Sequence, residues 1–93
     1  MKKYESMIIV SPSLSEDGSK QINETIQSFI KDNGGEVLNT DEWGKKRLAY
    51  EIQDEREGIF FVNYYTFDPA KIDDLDRLLK LNENVLRYNI LVK

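Results

Sequence analysis

Two stripes of apolar residues at helical spacing divide the sequence into halves with the same order of elements. The members of the stripes recur every three or four positions: Ile22, Ile26, Phe29 and Ile30, then Ile72, Leu75, Leu78 and Leu79. This spacing places the apolar side chains on one face of a helix, and that face must pack against another element. The two helices therefore constrain what the rest of the chain has to form.

Segments rich in β-branched and aromatic residues flank both stripes and predict four strands. They cover residues 4–10, 36–52, 59–67 and 85–92, and the polar residues 53–57 are expected to connect the middle two. Ser15 is expected to cap the first helix, and Asp68 with Pro69 to begin the second. Gly44 predicts a bulge within the second strand.

The predicted order is strand, helix, strand, strand, helix, strand, so each half is a βαβ unit. Two right-handed units of this kind form the split βαβ, or ferredoxin-like, fold. This α+β architecture is a four-stranded antiparallel sheet with two helices on one face, and the other face stays uncovered. We expect residues 1–93 to form a single domain, because 93 residues leave no room for a second core.

The sequence contains no cysteine and no histidine, which removes several classes of catalytic and metal site. A thiol nucleophile, a thiolate zinc site and the commonest general base are all excluded. The acidic cluster Asp73, Asp74 and Asp76 lies on an expected solvated helix face without a glycine-rich phosphate loop beside it. We therefore expect no enzyme activity, no cofactor, no metal ion and no small-molecule substrate.

The longest apolar run near the start, residues 7–10, is too short for a signal peptide or a membrane span. We expect a cytoplasmic protein that does not contact a membrane.

Apolar residues on both sides of the last two strands predict that the second sheet face is covered as well. Residues 59–67 are apolar or aromatic at nearly every position, whereas a half-buried strand alternates. Large exposed apolar patches mark interaction sites, so a binding partner is expected on this face. A loop or terminus folded across the sheet is the alternative.

Three consecutive cations, Lys45, Lys46 and Arg47, precede a short apolar segment in a chain of formal net charge -4. Leu48 and Ile52 are expected in the core. Lys2, Lys3, Arg87 and Lys93 are expected to add charge to the same region, because the first and last strands are neighbours in this fold. Such a basic region supports several phosphate contacts, although most charge runs are ordinary solvated surface.

The segment GKKRLAYEI, residues 44–52, resembles the signature of the sixth protein of the bacterial small ribosomal subunit. That signature has a glycine, a basic pair, Leu-Ala-Tyr, one variable residue and Ile. Residues 2–14, 55–67 and 78–93 resemble the first, third and fourth strands of the family with their flanks. The likeness spans essentially the whole chain.

The resemblance implies a structural constituent of the small ribosomal subunit without catalytic activity. It implies binding to ribosomal RNA of the central domain, as a heterodimer with the eighteenth small-subunit protein. It also implies RNA contacts for six basic residues: Lys2, Lys3, Lys45, Lys46, Arg47 and Arg87. Glu51 departs from the family pattern, because many relatives have proline there, and Gln53 departs because a basic or small residue is usual.

Two other functions stay open from the sequence. An RRM has the same element order and stacks bases on aromatics of its first and third strands. Residues 57–64 match its RNP1 pattern only in part, since Glu57 replaces a basic residue and Ile59 a stacking aromatic. A homodimeric interaction module using the open sheet is the other alternative. Trp43 and Tyr50 are expected to pack on the sheet and are not assigned to bases.

Overall fold

The computed structural model describes residues 1–93 as a four-stranded antiparallel sheet with two helices. The elements are β1 (Lys2–Val10), α1 (Glu16–Asp32), β2 (Glu36–Ile52), β3 (Glu55–Phe67), a 3-10 turn (Pro69–Lys71), α2 (Ile72–Leu81) and β4 (Val85–Val92). The strand order is β2-β3-β1-β4, so β2 and β4 are the edges. This arrangement confirms the predicted ferredoxin-like α+β fold.

The hydrophobic core lies between the helices and one face of the sheet. Its members come from both helices and from three strands: Tyr4, Ile8, Val10, Ile26, Ile30, Phe61, Tyr65, Phe67, Leu75, Leu79 and Val85. Directly paired residues of antiparallel strands share a face, so the pair of Ile8 with Phe61 defines the helix side. Ile9 pairs with Phe60 on the opposite side, which we call the open face.

A hydrogen-bonded polar row crosses the helix side of the sheet. The amides of Asn23 in α1 and Asn63 in β3 exchange two hydrogen bonds, of 3.3 and 2.8 Å. Thr40 donates to the Asn63 amide oxygen at 2.9 Å, and Gln27 donates to the Thr40 hydroxyl at 2.7 Å. Every buried side-chain nitrogen and oxygen has a partner. Moving α1 along the sheet would leave these groups unsatisfied, so the row fixes the helix register.

The first helix begins at its predicted capping residue, whereas the second helix begins three residues later than predicted. The Ser15 hydroxyl accepts a hydrogen bond from the Gly18 amide at 3.0 Å, which satisfies a free donor of the first turn of α1. Asp68 accepts from the Ala70 amide at 2.9 Å, but Pro69 begins the 3-10 turn and α2 starts only at Ile72.

No helix is both long and apolar enough to span a membrane.

The predicted connection between the middle strands is present but shorter than residues 53–57, because β3 already begins at Glu55. A two-residue turn, Gln53 at φ 50° and Asp54 at φ 66°, joins β2 to β3. Two positive φ angles are what a type I′ hairpin turn requires. Neither residue is glycine or asparagine, so the sequence lacks the usual signal for this turn.

Candidate nucleic-acid interface

The three consecutive cations lie exposed on the outer half of β2. Lys45 and Lys46 are still paired with β3, opposite Ile59 and Gly58. Before them, the ladder shifts between Glu42 and Gly44, where Gly44 adopts φ 77°. This confirms the predicted bulge. The bulge bends the strand and leaves Trp43 without a paired residue in β3.

Trp43 covers part of the open face and carries a cation above it. Its ring stacks on Phe60 with centroids 6.3 Å apart and an interplanar angle of 10°. The Lys46 ammonium lies 5.9 Å from the centroid of the Trp43 ring, within the range of a cation–π contact. Trp43 therefore packs on the sheet as expected and also holds Lys46 over the open face.

The aromatic residues of β3 divide between the two sheet faces. Phe61 is buried in the core, and Tyr65 lies on the same side, where its hydroxyl and the Ser6 hydroxyl are 2.7 Å apart. Phe60 lies beneath Trp43 on the open face. Phe61, which an RRM would offer to a base, is therefore buried, whereas Phe60 has Trp43 stacked on its ring and Tyr64 lies partly exposed on the open face.

Beyond Arg47 the hairpin tip leaves the ladder and bends over the open face. After an early shift between Val37 and Asn39 and the one at Gly44, the register shifts a third time, between the pairs of Arg47 with Glu57 and Ile52 with Glu55. Leu48 and Ile52 consequently line a depression of the open face next to Ile9 and are only partly buried. Their predicted place in the core is wrong, because the extra residues of β2 carry them out of the plane of the sheet.

Arg87 on the other edge strand reaches the same hairpin tip. It lies on the open face, paired with Ile9 of β1. Its guanidinium donates a hydrogen bond to the Tyr50 hydroxyl and lies 5.8 Å from the centroid of the Tyr50 ring. This contact crosses the sheet and brings Arg87 to the cations of β2.

Lys2 and Lys3 lie at the opposite end of the sheet, so the predicted single basic region is wrong. Lys2 and Lys3 are the first two residues of β1, and the segment from Lys3 to Ile9 spans about 20 Å at the usual rise of about 3.3 Å per residue. Antiparallel pairing places Lys93, not Arg87, beside Lys3, with a backbone hydrogen bond of 2.9 Å. The six predicted contacts form two groups, one at each end.

Acidic side chains separate the two groups. The pKa of the Tyr64 hydroxyl is raised, chiefly because the side chain is partly buried and also because the carboxylates of Asp41 and Glu5 lie nearby. Glu5 also forms an ion pair with Lys93, with a nitrogen–oxygen distance of 3.4 Å. The middle of the open face therefore disfavours phosphate, and anion binding is restricted to the ends.

The cations of the hairpin are not engaged with carboxylates. The two ion pairs of the structure are Lys20 with Glu16, at 3.5 Å, and Lys93 with Glu5. Arg47 forms none, although it lies opposite Glu57 in the ladder. Its guanidinium is available to an external anion.

Arg56 joins the hairpin cations and was missed in the sequence, where it fell within the expected connection. It lies in β3 and lines a depression of about 300 Å³ together with Arg47 and Glu51. Only knowledge of the turn at residues 53–54 would have identified it.

No group of three or more acidic side chains is placed to hold a metal ion.

Comparison with known proteins gives one family and two related folds. The family described as ribosomal protein S6 matches residues 3–92. The crystal structure of 30S ribosomal protein S6 from Thermotoga maritima superposes with a TM-score of 0.94 at 24% identity, covering 99% of this chain and 87% of that chain. The C-terminal domain of the MgtC protein from Mycobacterium tuberculosis gives 0.68 at 14% identity, covering 100% and 88%. At these identities the structural likenesses concern the fold.

Proposed function

Because the chain belongs to the ribosomal protein S6 family, we propose that it binds ribosomal RNA of the central domain together with the eighteenth small-subunit protein. Family membership makes it a constituent of the small ribosomal subunit with a role in translation. We further propose that residues 1–93 form a single domain. In this proposal the protein is located in the cytoplasm and has no catalytic activity.

The observation that carries the proposal is the group of hairpin cations with Arg87 on a protein of formal net charge -4. Unpaired ammonium and guanidinium groups bind phosphate by releasing counterions. The net charge opposes the approach of RNA, but the local group still favours contact at short range. Contact is therefore expected at the hairpin end of the sheet, where Lys46, Arg47 and Arg87 lie towards the open face and Lys45 shares the other side with Ile59.

A basic partner would remove the long-range repulsion and occupy the rest of this face. Leu91 lies there with 48% of its surface exposed, opposite Glu5. Apolar surface beside carboxylates complements a cationic protein better than a nucleic acid. We therefore propose that the eighteenth small-subunit protein docks first and that the RNA binds second. An isolated protein that bound its RNA as tightly as the mixture does would contradict this order.

The test replaces Lys45, Lys46 and Arg47 with alanine and measures binding of a central-domain RNA fragment in the presence of the partner. We expect a loss of affinity and a shallower dependence of log K on log salt, by about 0.7–0.9 per lost phosphate contact. A matched control replaces Lys31, Arg77 and Lys80 on the helices, which changes the net charge equally. Normal assembly of a folded hairpin variant at moderate salt would exclude the hairpin from the RNA site.

The homodimeric alternative makes a different prediction for the isolated protein. A sheet-to-sheet dimer would show a mass that rises with concentration in sedimentation equilibrium. We expect a monomer, because a sheet-to-sheet interface would enclose the carboxylates of Glu5 and Asp41 from both copies and bring like charges together.

A further inference from the structure

A small cavity beneath the hairpin tip has a composition that phosphate binding alone does not explain. It measures about 240 Å³ and receives side chains from all four strands. Its apolar walls include Ile9, Leu48 and Ile52, and Phe60 contributes an aromatic ring. A surface that only contacts a phosphate chain needs no such hollow, because phosphates are bound by charged and polar groups.

Two arginines from opposite edge strands border this apolar cavity. Arg47 approaches from β2 and Arg87 from β4, and neither takes part in an ion pair. The Tyr50 hydroxyl accepts one hydrogen bond from the Arg87 guanidinium, which has five N–H donors in total. Tyr50 thus fixes the orientation of Arg87 and leaves several donors free for an anion.

A ligand that fits this arrangement has a flat apolar part and an anionic part a short distance away. We propose that the cavity receives one unstacked nucleotide of the bound RNA, its base against Ile9 and Phe60 and its phosphate between Arg47 and Arg87. Proteins recognise single-stranded RNA by placing splayed bases on apolar and aromatic side chains beside cations. This inference rests on the proposed RNA binding and adds a base contact to it.

The size and the charge of the cavity together favour a nucleotide over a basic peptide. Its volume of about 240 Å³ is below the range of about 300–1,000 Å³ that holds drug-sized ligands, so it suits one ring system. The two arginines select an anionic ligand, whereas a basic partner protein would be repelled from this end of the sheet.

The test compares probes that differ only in the base. Adenosine 5′-monophosphate, uridine 5′-monophosphate and ribose 5-phosphate are titrated into the full chain while the Ile9 and Leu48 methyl and Phe60 ring resonances are followed by NMR. We expect both nucleotides to shift these resonances and to bind roughly five- to 100-fold tighter than ribose 5-phosphate, the range that one stacked base supplies. Equal affinities, or shifts confined to residues outside the cavity, would overturn the proposal.

A cavity-filling variant separates the base contact from charge. Ala49→Leu adds bulk to the lining without changing any cation, and Ala70→Leu in the distant 3-10 turn is the matched control. We expect only the first to abolish the preference for nucleotides over ribose 5-phosphate. In the same preparations, a single-stranded RNA should bind more tightly than a base-paired one, because only unpaired bases can enter.

The outcomes also distinguish this proposal from the function on which it rests. If nucleotides and ribose 5-phosphate bind equally while the alanine variant of Lys45, Lys46 and Arg47 still loses RNA assembly, the cavity proposal fails and RNA binding stands. If that variant assembles normally, the proposed RNA site itself fails.

Discussion

Arg87 in β4 and Tyr50 in β2 join the two edges of the sheet through a hydrogen bond and a cation–π contact of 5.8 Å. Each residue alone would be an exposed side chain on an edge strand. Together they hold the hairpin tip over the open face and bring an arginine to the cations of β2. This contact gives the basic group at this end of the sheet a fixed geometry.

Removing the Tyr50 hydroxyl should weaken RNA binding without unfolding the protein. Tyr50→Phe keeps the ring over Arg87 but removes the acceptor, and an exposed hydrogen bond contributes about 0.5–1.5 kcal/mol. We expect RNA affinity in the presence of the partner to fall by roughly two- to tenfold. The control is Tyr88→Phe, which deletes a hydroxyl bonded to Asp76 at 2.8 Å on the helix side and should leave RNA binding unchanged. Equal effects of the two variants would remove Tyr50 from the site.

The two basic groups should act independently of each other. Lys2 and Lys3 lie about 20 Å along β1 from Ile9, the partner of Arg87, and effects of sites that far apart add. The double variant Lys2→Ala with Lys3→Ala and the single variant Arg87→Ala should give changes in binding free energy that sum in the combined variant to within about 0.5 kcal/mol. A clear departure from additivity in RNA titrations would mean that one RNA segment is shared by both groups.

Much of the fold was predictable because it depends on local periodicity. The stripes around Ile26 and Leu75 identified both helices, and Val85–Val92 was predicted without error. The site was less predictable, since Tyr50 and Arg87 are 37 positions apart in the sequence and meet only in the folded sheet. The separation of Lys2 from Arg87 follows from antiparallel pairing, which places the start of β1 beside the end of β4 and Arg87 beside Ile9.

The burial of the apolar segment after Arg47 could not be predicted from alternation. Three register shifts change which side each residue of β2 faces, and only the second, at Gly44, is marked by a glycine. Leu48 therefore lies on the open side although its position within the strand pattern indicated the core. Turns without glycine, such as Gln53 with Asp54, leave no comparable signal.

Neutralising Glu51 should strengthen RNA binding. Its carboxylate lines the same depression as Arg47 and Arg56, so it lowers the positive potential at the hairpin. We expect Glu51→Gln to raise RNA affinity by roughly two- to fivefold at low salt. The gain should be smaller at high salt, because dissolved ions screen exposed charges over a Debye length of about 8 Å at physiological ionic strength. Glu24→Gln on α1 makes the same charge change far from the hairpin. If it gave an equal gain, the effect would belong to net charge and not to this site.

Alkaline pH should destabilise the protein through Tyr65. Burial raises the pKa of its hydroxyl from 10.0 to about 12, although the hydrogen bond with Ser6 acts in the other direction. The folded state therefore keeps a proton that the unfolded state releases above pH 10, so the stabilisation is complete below pH 10 and is lost as pH rises towards 12. One retained proton corresponds to a slope of at most about 1.4 kcal/mol per pH unit in the free energy of unfolding.

Urea unfolding between pH 9 and pH 12 measures this slope in the wild type and in a variant that cannot titrate at position 65. Tyr65→Phe alone would leave the buried Ser6 hydroxyl without its partner, so it is combined with Ser6→Ala, because removing both partners of a buried hydrogen bond costs far less than removing one. The double variant should lose stability less steeply above pH 10 than the wild type. Tyr64 and Tyr88, whose pKa values are also raised, keep a residual dependence of the same sign. Identical slopes in the two proteins would show that Tyr65 is not the group that couples folding to alkaline pH.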